Sequence, residues 1–213
     1  MKKTFIILVS SFLANLAYAN SAADTLTSLL LGMNTMQADF SQTVKDKSAK
    51  SLQHAEGRMA LVRPGKFRWD VKKPIAQLII ANGSRLWIYD QDLQQVSIRS
   101  FHKAAGQTPA LLLSDKNLTL GKDFTIAEEK SPQQIAGYRV FLLTPTDKED
   151  AFETIKLTFV SKQIREMQLL DRLGHIITIS FNHVKIGASL PESLFTFKPG
   201  SNVDIIDETK FKK

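Results

Sequence analysis

Leu61-Val62-Arg63-Pro64-Gly65-Lys66-Phe67-Arg68-Trp69-Asp70 is the stretch that decides the fold. Pro64-Gly65 reads as a tight turn, because proline presets φ and glycine tolerates a positive one. One strand therefore runs into the turn and another runs out. In the outgoing strand Phe67, Trp69 and Val71 alternate with Arg68 and Asp70. One face is apolar and the other charged, the pattern of a half-buried strand with aromatics on its inner side.

Working outward, the same alternation recurs. Met36, Ala38 and Phe40 alternate with Gln37, Asp39 and Ser41, and Gly57 to Val62 forms the incoming strand. Asp46 to Gln53 is polar and reads as a hairpin loop. Leu78 to Ala81 and Arg85 to Tyr89 flank Asn82-Gly83-Ser84, a hairpin signal because Asn-Gly tolerates positive φ. Val96 to Phe101 is one more strand. Gly106-Gln107-Thr108-Pro109 then breaks the pattern. Thr108 as N-cap and Pro109 as first helical residue predict a short helix with Leu111, Leu112 and Leu113 on its apolar face. Strands resume at Phe124 to Glu128, Tyr138 to Leu143, Thr154 to Val160, Ile164 to Asp171 and His175 to Val184, with Asp171-Arg172-Leu173-Gly174 as a turn. Pro191 to Phe195 is a helical turn, followed by Phe197 and a tail through Val203-Asp204-Ile205-Ile206. So many short strands predict a mainly β fold with short helices, built as one large curved antiparallel sheet or barrel.

Two helical segments serve that sheet. The first starts at a cap on Asn20 or Ser21, with Asp24 at its positive end, and carries the stripe Leu26, Leu29, Leu30 and Met33. The second holds the three leucines after Pro109. No linker, repeat or low-complexity run divides the chain.

The N-terminus has the parts of a secretion signal. Lys2 and Lys3 form a basic start, and Phe5 to Leu16 is an apolar run of about a dozen residues, too short to span a bilayer. Ala17-Tyr18-Ala19 fits the small-x-small cleavage rule. Residues 1–19 are thus expected to be removed, leaving 20–213 as a single exported domain. Cysteine is absent, so no disulfide is used and no lipid can be attached to a cysteine behind the signal. Losing Lys2 and Lys3 brings the formal charge from +7 to +5. The bases are scattered rather than clustered with aromatics, which argues against nucleic acid.

The search for chemistry is negative. His54, His102, His175 and His183 fall in no metal-ligand motif. Gly187-Ala188-Ser189 lacks the rest of a nucleophile elbow, and Gly121-Lys122-Asp123 is not a phosphate loop. Glu128-Glu129 and Glu149-Asp150 read as solvated charges. No enzyme and no cofactor are expected. Phe67, Trp69, Trp87 and Phe181 all lie on strands and suit the wall of a binding cavity. They suit a filled core equally well, and the pattern alone leaves both open.

Several segments carry a resemblance. They are the leucine-striped helix, Phe40-Ser41-Gln42, Val62 to Trp69, the Asn82 to Asp90 hairpin, Gly106 to Leu113 and Phe195-Thr196-Phe197-Lys198-Pro199. In that order the chain resembles the LolA family of periplasmic lipoprotein carriers. The resemblance implies an incomplete, strongly curved antiparallel β-barrel with a helical lid over an apolar cavity. It implies a soluble, monomeric periplasmic protein that takes acylated lipoproteins from an inner-membrane Lol transporter to the outer-membrane acceptor LolB. LolB is itself a lipoprotein, so the missing cysteine favours the carrier. Leu26, Leu29, Leu30, Phe40, Phe67, Trp69, Trp87, Leu111, Leu112 and Phe181 would then line the acyl-chain cavity and its lid. Arg63 matches a residue that ties the lid shut, and Phe67 matches one near the cavity mouth. A lipid- or lipoprotein-sensing domain is the alternative, and the single-domain length argues against it.

Overall fold

The computed structural model describes residues 21–101, 109–114, 120–129 and 135–210. The expected signal peptide and the expected N-cap Thr108 lie outside the described residues.

Helix α1 (Ala22–Leu31) begins at a capping box. Ser21 Oγ accepts from the Asp24 N–H at 3.1 Å, and the Asp24 carboxylate accepts from Ser21 N. Two of the otherwise unpaired donors at the helix start are satisfied this way. Leu26 and Leu30 are fully buried, and Met33 follows them into the core.

Strands β1 (Thr35–Lys45), β2 (Ser51–Val62), β3 (Lys66–Lys73), β4 (Gln77–Asn82), β5 (Arg85–Asp90) and β6 (Gln95–Ser100) form the first half. A 3-10 helix (Pro109–Ser114), here the lid helix, and helix α2 (Leu120–Asp123) separate them from the second half. That half comprises β7 (Phe124–Glu129), β8 (Tyr138–Pro145), β9 (Phe152–Val160), β10 (Gln163–Asp171) and β11 (Ile176–Ile186). A 3-10 turn (Glu192–Phe195) and β12 (Asp204–Asp207) follow. The loop expected over Asp46 to Gln53 is shorter than its polarity suggested. Asp46 Oδ1 accepts from the N–H groups of Ser48 and Lys50 and closes the turn, so β2 resumes at Ser51.

Among the described residues, the twelve strands join one sheet in the order β12-β6-β5-β4-β3-β2-β1-β11-β10-β9-β8-β7. Their pairings are antiparallel except β12 with β6, which is parallel. The expected tail through Ile206 is therefore an edge strand, with Ile205 opposite Val96. Six strand steps separate β4 from β9, about 29 Å along a flat sheet. Ile79 of β4 and Phe152 of β9 nonetheless line one cavity, so the sheet wraps strongly around it. It stays open, with β12 at one edge and β7 at the other.

The concave face holds the main core, with the buried leucines of α1, the lid helix and α2 packed among the strands. Phe40 on β1 and Trp69 on β3 stack there with ring centroids 3.6 Å apart, although β2 lies between them. The β2 residue opposite Phe40 is Gly57, and a Cβ there would sit 2.7 Å from the Phe40 ring. The missing side chain lets the aromatic rings meet across the strand.

The convex face has a smaller core. Ile80 pairs with Trp87, which pairs with Ile98, so the three share that face. Phe195 is buried, and Phe197 meets Tyr89 at 5.3 Å between ring centroids.

Candidate functional site

The cavity in the concave face has a volume of about 570 Å³. Its walls come from both halves of the sheet. Trp69, Val71, Ile79 and Ile88 stand on one side, and Phe152, Leu169, Ile177 and Ile179 on the other. Ala110 of the lid helix is in the lining, and Gln42, Gln53, Gln77, Asp90 and Arg99 add polar groups. Pro74 and Ile75, in the turn between β3 and β4, mark its opening. The alternation of each strand explains the apolar walls, since every second residue must face inward.

The lid helix fills a further part of the concavity, beside α1 and α2. Leu111 and Leu113 are 1% and 0% exposed, and Leu112 is half-buried against the same core. The C-terminal end of the lid helix and the residue after β6 are each tied to a neighbouring turn. Gly65 N donates to Ser114 O at 2.7 Å, and Phe101 N donates to Ser84 O at 3.0 Å. The Ser114 hydroxyl, also buried, donates to Leu111 O at 3.0 Å. The turns of Gly65 and Gly83 press together. A Cβ on Gly65 would lie 2.7 Å from Gly83 Cα, and both residues have positive φ. Only glycine fits that approach.

Of the residues expected from sequence, Trp69 lines the cavity. Leu26, Leu30, Phe40, Phe67, Leu111 and Phe181 are buried around it in the closed core, and Leu29 and Leu112 lie half-buried at its edge. Phe67 does not sit at an accessible mouth. It is 0% exposed, parallel to Trp69 with ring centroids 6.0 Å apart. Trp87 does not face the cavity. Its neighbour Ile88 does, and a period of two puts Trp87 on the convex side. Its size suggested a wall, but its register decides otherwise. Ile79, Ile88, Leu169, Ile177 and Ile179 carry no signal of their own in the sequence because aliphatic wall and aliphatic core read alike, and Phe152 precedes the strand that the alternation marks from Thr154. Arg63 lies at the lid-binding turn with Nε and Nη2 buried. The backbone bond from Gly65 links this turn to the lid helix.

Charged clusters lie elsewhere. At the β7–β8 edge Arg139 grips Glu128 with two bonds of 2.6 and 2.7 Å. Those bonds hold the Glu128 carboxyl below the ordinary carboxylate range. On the convex side Asp39 lies between His183, at 2.8 Å, and Arg58, at 3.3 Å. The His183 hydrogen bond is the leading cause that lowers its pKa. Among the described residues, no group of three His, Asp or Glu could hold a metal ion. Among the same residues, no helix is long and apolar enough to cross a membrane.

A curved sheet closed over a hollow by a leucine-bearing helix is the architecture on which the chain can be compared with known proteins, and residues 32–198 match the model of the outer membrane lipoprotein carrier protein LolA. The chain belongs to the LolA family. An outer-membrane lipoprotein carrier protein from Legionella pneumophila (strain Corby) is 38% identical over 208 residues, covering 98% of this chain and 100% of that one. One of the same name from Pseudomonas aeruginosa (strain UCBPP-PA14) is 36% identical over 208 residues, covering 97% and 98%. Among solved structures, an uncharacterized conserved protein from Thermus thermophilus matches with a TM-score of 0.54 at 12% identity, covering 86% of this chain and 99% of that one. At that identity the LolA-family chain shares the fold with it and nothing more is read from it.

Proposed function

We propose that this LolA-family protein is a periplasmic, non-enzymatic carrier that shields the acyl chains of lipoproteins in its concave hollow. It receives them from an inner-membrane Lol transporter and passes them to the outer-membrane acceptor LolB. The mature domain spans 20–213, released from its leader after Ala19. The observation that carries this reading is the open apolar cavity next to a helix whose leucines plug the same hollow. The names of the relatives, outer-membrane lipoprotein carrier proteins, support it.

Magnitudes explain why such a carrier needs a movable plug. If a methylene takes about the share of a water, about 30 Å³, the present hollow of about 570 Å³ holds about twenty of them. A triacylated terminus has about 40, worth about 30 kcal/mol against water at about 0.8 kcal/mol each. That exceeds the practical limit of about 20 kcal/mol for non-covalent affinity, so the chains cannot be released into water. Full loading requires the lid helix to leave, and unloading proceeds only into another apolar site. Return of the lid then offsets part of the loss. Arg63, at the turn that holds the lid, serves as the latch in this scheme.

The test is mass spectrometry of the tagged mature protein recovered from a periplasm. Acylated polypeptides bound at stoichiometric level are expected, with transfer to LolB when it is added. Recovery of phospholipid alone, with no transfer, would sink the carrier reading.

A further inference from the structure

Among the described residues, five hairpin turns gather at one end of the sheet, the end where Pro74 and Ile75 border the cavity, while the lid-binding turns lie at the opposite end. Three adjacent ones form a distinct sector. The β1–β2 and β10–β11 turns touch, for Lys47 lies so close over Gly174 that a Cβ there would strike its side chain. The β3–β4 turn follows next, because β2 pairs with β3 and Glu56 stands opposite Lys73. Leu52, Ile75 and Leu173 in this sector are 52%, 57% and 71% exposed. Around them Lys45, Lys47, Lys50, Lys72, Lys73 and Arg172 are all exposed.

Four acidic residues share the sector with these six cations. Asp46 and Asp171 accept hydrogen bonds inside their own turns, Asp70 holds Lys72 at 2.8 Å and Glu56 meets His54 at 3.1 Å. The other acids of this end, Asp90, Asp92, Asp147, Glu149, Asp150 and Glu153, belong to the β5–β6 and β8–β9 turns and the start of β9, and the β8–β9 turn adjoins the sector where Arg172 Nε donates to Asp150 O.

We infer that this sector docks directly on an anionic phospholipid surface and so presents the cavity opening to the bilayer. The chemistry is complementary on both counts. Apolar tips enter the boundary between headgroups and acyl chains, and cations ringed around them meet lipid phosphates. Three scattered tips and a handful of lysines give weak, reversible binding, which suits a shuttling protein. The contact does not depend on what the cavity carries.

Sedimentation of the empty mature protein with vesicles tests it. One set contains phosphatidylglycerol with phosphatidylethanolamine, and the other phosphatidylcholine alone. Binding to the anionic set is expected, weakening as salt is raised. Lys50→Glu with Lys73→Glu should reduce partitioning at least about 25-fold, at about fivefold per charge removed. Leu52→Asp with Leu173→Asp should abolish it, and all four sites are exposed enough to leave the melting temperature unchanged. Equal binding to both vesicle sets overturns the inference, as does undiminished binding by the folded variants. No sedimentation with either set also overturns it and points to a protein partner instead. Because empty protein is used, a chain that sediments but fails in lipoprotein transfer would still support the membrane contact.

Discussion

Truncating a leucine of the plug should make this protein hold cargo more tightly. Leu111 and Leu113 are buried in the closed state, and burial of a leucine contributes about 1.5–3 kcal/mol. With about 1 kcal/mol for the Gly65–Ser114 hydrogen bond, lid closure is worth about 4–7 kcal/mol. A single acyl chain of about 16 methylenes contributes about 13 kcal/mol and wins the hollow, but its net affinity is reduced by what the lid gives up. Leu113→Ala removes at least about 2 kcal/mol from the closed state alone. Affinity for a fluorescent diacylated peptide should therefore rise at least about thirtyfold, with slower release. Equilibrium titration and displacement kinetics measure both. Ile80→Ala is the control, since Ile80 is 1% exposed on the convex face. It should lower stability without changing affinity. A folded Leu113→Ala protein that binds no more tightly than the wild type would refute the competition between lid and cargo.

The latch reading makes Arg63→Leu load cargo normally and retain it when acceptor is added, and release at the wild-type rate in a transfer assay would count against it. Gly57→Ala places a Cβ 2.1 Å from Asp70 O and should cost about 1–3 kcal/mol, read as a lower melting temperature. An unchanged melting temperature would mean that β2 and β3 can part without loss. For Glu128 the sign is set by its lowered pKa. Its contribution is present above its ordinary value near 4.5 and is lost as pH falls through the lower folded value. Glu128→Gln should thus be less stable than wild type at pH 7, by up to about 1 kcal/mol because both partners are over a third exposed. The difference should vanish in strong acid, and chemical denaturation at both pH values checks it.

Much of the fold is legible because strands announce themselves by alternation and turns by their glycines. Phe67-Arg68-Trp69-Asp70 assigns both faces of β3, and Asn82-Gly83 places the β4–β5 hairpin. The parallel β12 was not legible. Its four residues, Asp204-Ile205-Ile206-Asp207, are too short to show a period, and their partner lies over a hundred residues away.

The site was legible in kind and not in detail. Local chemistry identified two leucine-bearing helices and an aromatic sheet face, because amphipathic periodicity depends only on neighbours in the chain. Whether Ile79, Phe152 and Ile177 meet one another or a hollow depends on how far the sheet bends, and curvature is summed over strands distant in sequence. Trp87 makes the same point at one residue: its bulk is written in the chain, while the face it occupies follows from pairing with Ile80 and Ile98. Residue type and spacing determined that this protein is a curved β sheet with leucine-bearing helical covers. Only long-range packing decided where the cover leaves space, since a void belongs to no single segment.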